Sequence, residues 1–157
     1  MSAYQLPHWI WPTALMAVCA LAVWRGRDDE RLAAGGLLAN WAFTMVVVRM
    51  SGGTASGATQ WGMLVVDVAL LGLYLWLALR SGRYWPLFVA AFQVLVVVTH
   101  LGRVVDSTIS GWAYLTAALI WGFLGLLTIG YGAWTAPRRY AEIEAVDRHA
   151  AAGAPAR

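Results

Sequence analysis

The chain alternates between long apolar stretches and short polar or glycine-containing breaks. Five apolar stretches can be drawn, at about residues 9–24, 32–50, 60–79, 84–105 and 109–135. Each is close to the ~20 residues that an α-helix needs to cross a hydrocarbon core of ~30 Å. The pattern predicts an all-α integral membrane protein built as a five-transmembrane-helix bundle.

The breaks between these stretches are too short to form a domain outside the membrane. Each contains the glycine, serine, proline or charged residues that commonly end a helix. They are 25–31, 51–57, 81–83, 106–108 and 137–139. We therefore expect one transmembrane domain over residues 1–136 and a short tail over 137–157, which could continue as a short helix from Arg138.

Composition excludes a water-soluble domain, since 61% of the residues are hydrophobic and 12% are charged, against roughly 25% charged in soluble proteins. The main partner is then the lipid bilayer, and nothing in the sequence indicates nucleic-acid binding. The single cysteine, Cys19, excludes an intramolecular disulfide and a multi-cysteine metal site.

The eleven cationic residues are all arginine, and their positions predict an orientation. If the first break faces the cytoplasm, nine arginines lie on that side and only Arg49 and Arg103 on the other. Arginine-rich loops stay in the cytoplasm, so we expect the N-terminus outside and the C-terminus cytoplasmic. Short loops and small size favour a bacterial inner membrane.

Four ionisable residues interrupt the apolar stretches at one depth. Counting 1.5 Å per residue from the cytoplasmic ends places Arg49, Asp67, His100 and Arg103 near the outer surface. Asp106 extends this set upward. An ionised residue at the centre of a span costs about 2.5–3.5 kcal/mol, so these side chains are expected to face each other as a buried polar cluster.

Two polar stripes run along neighbouring spans and could bind a ligand. Gln60, Asp67 and Tyr74 repeat every seven residues, and Gln93 precedes His100 by seven. Residues seven apart share one helix face. His8, at the outer end of the first span, is a further possible ligand-binding residue at a similar level.

The cluster has a structural and a functional interpretation. The structural one is an ion pair of Asp67 with Arg103 or Arg49, with Asn40 as an interhelical hydrogen-bonding residue. The functional one is a proton path, in which polar residues must also occur nearer the cytoplasmic face. The candidates there are Asn40, Tyr74, Gln93 and Thr128.

The sequence contains no motif for a reaction, no catalytic residues and no metal-ligand set. The prediction is a non-enzymatic accessory or scaffold subunit that binds other membrane proteins, lipid or a second copy of itself. The alternative is a small transporter or a haem- or quinone-binding protein that uses Asp67, His100 and Arg103. No cofactor is predicted under the first interpretation, whereas His8 and His100 could ligate haem iron under the second.

Overall fold

The computed structural model describes residues 9–50, 57–106 and 108–152, with side chains described for 9–50, 61–106, 108–136 and 148. These residues form five α-helices and no strand. They are α1 (Ile10–Arg25), α2 (Asp28–Met50), α3 (Gly57–Arg80), α4 (Trp85–Val105) and α5 (Gly111–Ala152). The all-helical prediction is confirmed for this part of the chain.

Four helices, α2 to α5, are long and apolar enough to cross a membrane. The first, α1, has 16 residues, which corresponds to about 24 Å at 1.5 Å per residue. It is therefore shorter than a typical span. The structure thus supports a multi-pass membrane protein with four span-length helices, and a crossing by α1 stays a prediction.

Consecutive helices run antiparallel and pack side by side, and α1 also contacts α5, so the bundle closes into a ring. Its core contains Leu15 of α1, Leu77 of α3, and Leu126 and Ile129 of α5, all at most 2% exposed. Because the described loops are short, each helix begins near the level at which the preceding one ends. Residues equally far from a shared loop therefore lie at the same depth in the bundle. One end of the bundle, called here the arginine end, carries the α1–α2 and α3–α4 loops. The opposite end carries the α4–α5 loop.

Two helix ends differ from those expected from the sequence. Helix α2 begins at Asp28, four residues before the predicted stretch, because three acidic residues in its first turn interact favourably with the helix dipole. Helix α5 continues past Pro137 to Ala152, where a break was expected. A proline removes its own backbone donor and its ring crowds the carbonyl four residues earlier, which can bend a helix without ending it.

Candidate functional site

The centre of the site is Asp67, which projects from α3 into the bundle and is 7% exposed. Oδ1 of its carboxylate accepts hydrogen bonds from Asn40 Nδ2 of α2 at 3.2 Å and from Gln93 Nε2 of α4 at 3.1 Å. Oδ2 lies 2.9 Å from Nε2 of His100, also on α4. All three partners can donate, so the carboxylate acts as an acceptor only.

His100 connects this carboxylate to a third helix. Its Nδ1 lies 2.8 Å from the hydroxyl of Tyr114, near the start of α5, and the two rings meet edge to face with centroids 5.3 Å apart. His100 is 7% exposed. Asn40, Asp67, Gln93, His100 and Tyr114 form what we call the polar network, with members on four helices.

The arginines expected to pair with Asp67 lie elsewhere. Arg103 is one turn beyond His100, and its guanidinium carbon lies 5.9 Å from the centre of the Tyr114 ring. Arg49 is exposed in the last turn of α2. Among the described side chains, the titratable partner of Asp67 is His100, whose Nε2 lies within ion-pair distance of the carboxylate.

Asp106 does not join the network. It caps α4 at the surface, where its Oδ1 accepts bonds from the backbone N–H of Thr108 at 2.9 Å and from the Thr108 hydroxyl at 2.6 Å. Two hydrogen bonds to the ionised form, first that of the hydroxyl, hold the pKa of Asp106 below its usual value.

The remaining residues of the two stripes are separated. Tyr74 is buried and donates to the carbonyl of Ala33 at 3.4 Å. Tyr74 and Gln93 also line a cavity of about 20 Å³, enough for one water molecule. Thr128 bonds the carbonyl of Leu124 in its own helix. His8 and the side chain of Gln60 lie outside the described residues.

A second buried acid occurs at the arginine end. Glu30, in the first turn of α2, is fully buried. Its Oε1 pairs with Arg83 of the α3–α4 loop, and its Oε2 accepts the backbone N–H of Arg27 at 3.0 Å. Gly26 permits this arrangement, because a Cβ there would lie 2.8 Å from Cβ of Glu30. We call Glu30 and Arg83 the loop-end ion pair.

A groove of about 670 Å³ runs between α2 and α3 on the outer surface of the bundle. Its lining is largely apolar and includes Ala39 and Phe43 of α2 and Trp61 and Ala69 of α3. Asn40 is its polar member. Oδ1 of Asn40 is buried and has no hydrogen-bond partner among the described atoms.

Sequence reasoning missed two members of these sites, Tyr114 and Glu30. Tyr114 could have been found by symmetry across the α4–α5 loop. His100 lies five residues before the end of α4 and Tyr114 three residues after the start of α5, which puts the two at similar depth. Glu30 stands among Arg27, Asp28, Asp29 and Arg31 and resembles any solvated loop residue.

Comparison of the chain with protein-family models, curated proteins and solved structures gave no match. The chemistry of the site must therefore be read from its geometry. In the described part of the chain, no group of three or more His, Cys, Asp or Glu side chains could hold a metal ion. Both ring nitrogens of His100 have hydrogen-bond partners, so a haem iron would have to displace one of them.

Proposed function

We propose that this is a membrane protein whose activity depends on a proton bound at the polar network, as in a small proton-coupled transporter. The observation that carries the proposal is the succession of contacts from the buried Asp67 carboxylate through buried His100 to the hydroxyl of the half-buried Tyr114. Ionisable side chains inside a membrane are costly, and they commonly form ion pathways and proton relays. An imidazole is the side chain that changes charge near neutral pH.

The partners of His100 suit both of its protonation states. In the neutral ring, Nε2–H donates to Asp67 and Nδ1 accepts from the Tyr114 hydroxyl. In the protonated ring, Nδ1–H donates to the tyrosine oxygen instead, since a hydroxyl both donates and accepts. One proton can therefore bind or leave while the heavy atoms keep their positions.

The charged and titratable groups around His100 come from every helix that packs against it. Asp67 faces it from α3 and Tyr114 from α5, while Arg103 of its own helix lies beyond Tyr114. Gln93 and Asn40 face the carboxylate.

Polar groups also continue from the network towards the arginine end. Gln93 and Tyr74 share the cavity of about 20 Å³, and the Tyr74 hydroxyl reaches the carbonyl of Ala33. Ala33 lies one turn after Glu30 of the loop-end ion pair. This succession supports a path for protons along the inside of the bundle, which was the functional interpretation of the sequence.

We also propose that the arginine end faces the cytoplasm of a bacterium, with the N-terminus outside. Arg25, Arg27, Arg31, Arg80 and Arg83 occur at that end, and four further arginines follow in the tail. Only Arg49 and Arg103 occur at the opposite end. The difference agrees with the enrichment of arginine in cytoplasmic loops.

The test is an NMR titration of the full-length protein in detergent micelles, with ¹⁵N-labelled histidine and His100→Gln to assign the signals. As the pH is varied, we expect the two ring nitrogens of His100 to report the binding of a proton. Asp67→Asn should alter that titration curve, and Asp106→Asn, an exposed aspartate on the adjoining loop, should leave it unchanged. A His100 ring that keeps one protonation state throughout would make the network a purely structural contact.

A scaffold role is the second candidate, and the length of α5 favours it. With 42 residues, α5 is about 63 Å long, twice the thickness of the hydrocarbon core. Its last 16 residues, 137–152, follow the apolar span-length part of the helix, which ends at Ala136, and they are the segment proposed to bind a partner subunit. Removing residues 138–157 should then abolish copurification of that subunit while the NMR signals of His100 stay unchanged.

A further inference from the structure

A small cavity of about 20 Å³ lies inside the bundle, where four helices meet. Its lining includes Leu37 of α2, Tyr74 of α3, Gln93 of α4 and Leu126 of α5, and all four side chains are buried. One water molecule needs roughly 10–15 Å³ of such space. The cavity therefore has room for a single water molecule and none for a lipid chain or a cofactor.

Gln93 offers an acceptor that the polar network does not use. Both of its hydrogen bonds in the described structure are donated by Nε2, to the backbone carbonyl of Asp67 at 3.2 Å and to the Oδ1 carboxylate oxygen at 3.1 Å. The carbonyl oxygen, Oε1, lies on the opposite arm of the amide and can accept two bonds. Unlike Oδ1 of Asn40, it is not one of the described side-chain atoms that are fully enclosed without a partner, so a water molecule can reach it.

Two further polar groups line the cavity. The Tyr74 hydroxyl donates its hydrogen to the carbonyl of Ala33 at 3.4 Å, and its oxygen can still accept a bond. Trp121 of α5 also lines the cavity and carries an indole N–H, which is a donor only. A buried water typically makes about three hydrogen bonds, whereas a cavity lined by hydrocarbon alone stays dry. Two acceptors and one donor match the two hydrogens and the oxygen of one water molecule.

We propose that this cavity is a binding site for one ordered water molecule, which donates to Oε1 of Gln93 and to the Tyr74 hydroxyl. With its oxygen bonded to the water, the Gln93 amide keeps Nε2 turned towards Asp67. The opposite orientation would place an amide oxygen beside the carboxylate, and neither group could donate. Gln93 is thus a positioning residue for Asp67, and the water fixes its orientation. The effect of the water on proton binding rests on the proposed function, because Asp67 faces His100.

The test uses the full-length protein in detergent micelles, with ¹⁵N-labelled glutamine and with water itself as the probe. The chain contains three glutamines, so Gln5→Glu and Gln60→Glu identify the Gln93 side-chain signal by elimination. We expect a nuclear Overhauser cross-peak between water and the Gln93 amide protons, with the opposite sign in the rotating frame. The opposite sign separates a bound water from chemical exchange of the amide protons.

Gly125→Ala is the variant that should exclude the water. Gly125 lines the cavity, and a Cβ there would lie 4.0 Å from Cβ of Phe92, so the methyl group fits without a clash. Alanine is also favoured over glycine inside a helix, so this variant is expected to fold. Gly72→Ala is the matched control, since a Cβ there meets open space outside the cavity lining.

The water cross-peak should disappear in Gly125→Ala and remain in Gly72→Ala. A cross-peak relayed by the Tyr74 hydroxyl would survive in Gly125→Ala, which keeps that hydroxyl, and its survival would overturn the proposal. An absent cross-peak in the unaltered protein, or its loss in both variants, would overturn the proposal as well.

The titration of His100 supplies the readout for positioning, and its outcome is separable from that of the water site. Gly125→Ala should alter the titration curve of His100 and Gly72→Ala should not, so an unchanged curve in both variants would overturn the positioning role of the water. The water cross-peak itself is measured at one fixed pH. A His100 ring that does not titrate, together with a cross-peak that Gly125→Ala removes, would retain the water site and remove the proton site. The opposite pair of results would remove the water and retain the proton site.

Discussion

The loop-end ion pair and the polar network both bury an acid inside the bundle, yet they differ in what their partners can do. Glu30 is fully buried and Asp67 is 7% exposed, so burial alone does not separate them. Glu30 is paired with Arg83, whose guanidinium stays charged at every pH that a protein tolerates. Asp67 is paired with His100, whose ring can be charged or neutral.

The other hydrogen-bonding groups near the two acids differ in the same way. The second oxygen of Glu30 accepts the backbone N–H of Arg27, the residue before α2, and so caps the start of that helix. Beyond His100 lies the hydroxyl of Tyr114, a group that can reverse the direction of its hydrogen bond. The partner, more than the depth of burial, therefore decides whether a buried acid holds helices together or can also exchange a proton.

The largest effect is expected from breaking the loop-end ion pair. Glu30→Ala leaves Arg83 without its carboxylate partner and leaves the N–H of Arg27 without its acceptor. Removing one partner of a buried pair typically costs about 3–5 kcal/mol. We expect a loss of that size in the free energy of unfolding, measured by reversible denaturation in mixed detergent micelles.

Asp28→Ala is the matched control, since Asp28 is an exposed acid in the same first turn of α2. Its interaction with the helix dipole is worth only about 0.3–1 kcal/mol. Similar losses for the Glu30 and Asp28 variants would show that the ion pair contributes no more than a surface charge. Glu30 and Arg83 would then no longer count as a fixed ion pair to set against the proton-exchanging pair of Asp67 and His100.

A double-mutant cycle should give an intermediate effect and identify the partner of Asp67. If Asp67 and His100 interact directly, the losses from Asp67→Ala and His100→Ala should fall short of additivity by roughly 0.5–3 kcal/mol. Arg103→Ala replaces the cation that sequence reasoning paired with Asp67, and its cycle with Asp67→Ala should be additive within about 0.5 kcal/mol. The same denaturation assay measures both cycles.

The reverse pattern, with coupling to Arg103 and none to His100, would contradict the geometry of the network. Asp67 would then be interpreted, like Glu30, as the acid of a fixed ion pair with an arginine. The two cycles can be compared directly because His100 and Arg103 lie one turn apart on α4.

Much of the fold could be predicted because apolar length alone determines where a helix can cross a membrane. The predicted stretches for α3 and α4 end within about one residue of the observed helices, at Arg80 and Val105. Counting along antiparallel spans also placed His100 opposite Asp67, and the two side chains lie 2.9 Å apart. Depth is readable from sequence because the rise per residue of a helix is constant.

What could not be predicted depends on contacts between distant segments. The burial of Glu30 requires the early start of α2 and the approach of Arg83 from another loop. Neither feature can be recognised in the sequence of residues 25–31 alone. The arginine partners were favoured by charge, although the Arg103 guanidinium lies over the ring of Tyr114 on α5. Asn40 was expected to link helices, but its choice of Asp67 as acceptor depends on the approach of α2 and α3.

The smallest effect concerns Asp106, an exposed acid that shows what hydrogen bonding does without burial. Its pKa is lowered chiefly by the hydroxyl of Thr108 and secondly by the backbone N–H of that residue. Thr108→Val removes the first bond and keeps the second, so we expect the pKa of Asp106 to rise towards, but not reach, the ordinary value of about 3.9. A carbonyl ¹³C NMR titration of Asp106 measures this pKa, with Thr108→Ser as the variant that retains the hydroxyl.

Because the folded-state pKa of Asp106 is depressed, the contribution of this cap to stability is present above the ordinary pKa and is lost as the pH falls through the folded value. An unchanged titration of Asp106 in Thr108→Val would assign the lowered pKa to the backbone N–H alone. Asp106 would then not show what a side-chain donor, such as those around Asp67, does to a carboxylate.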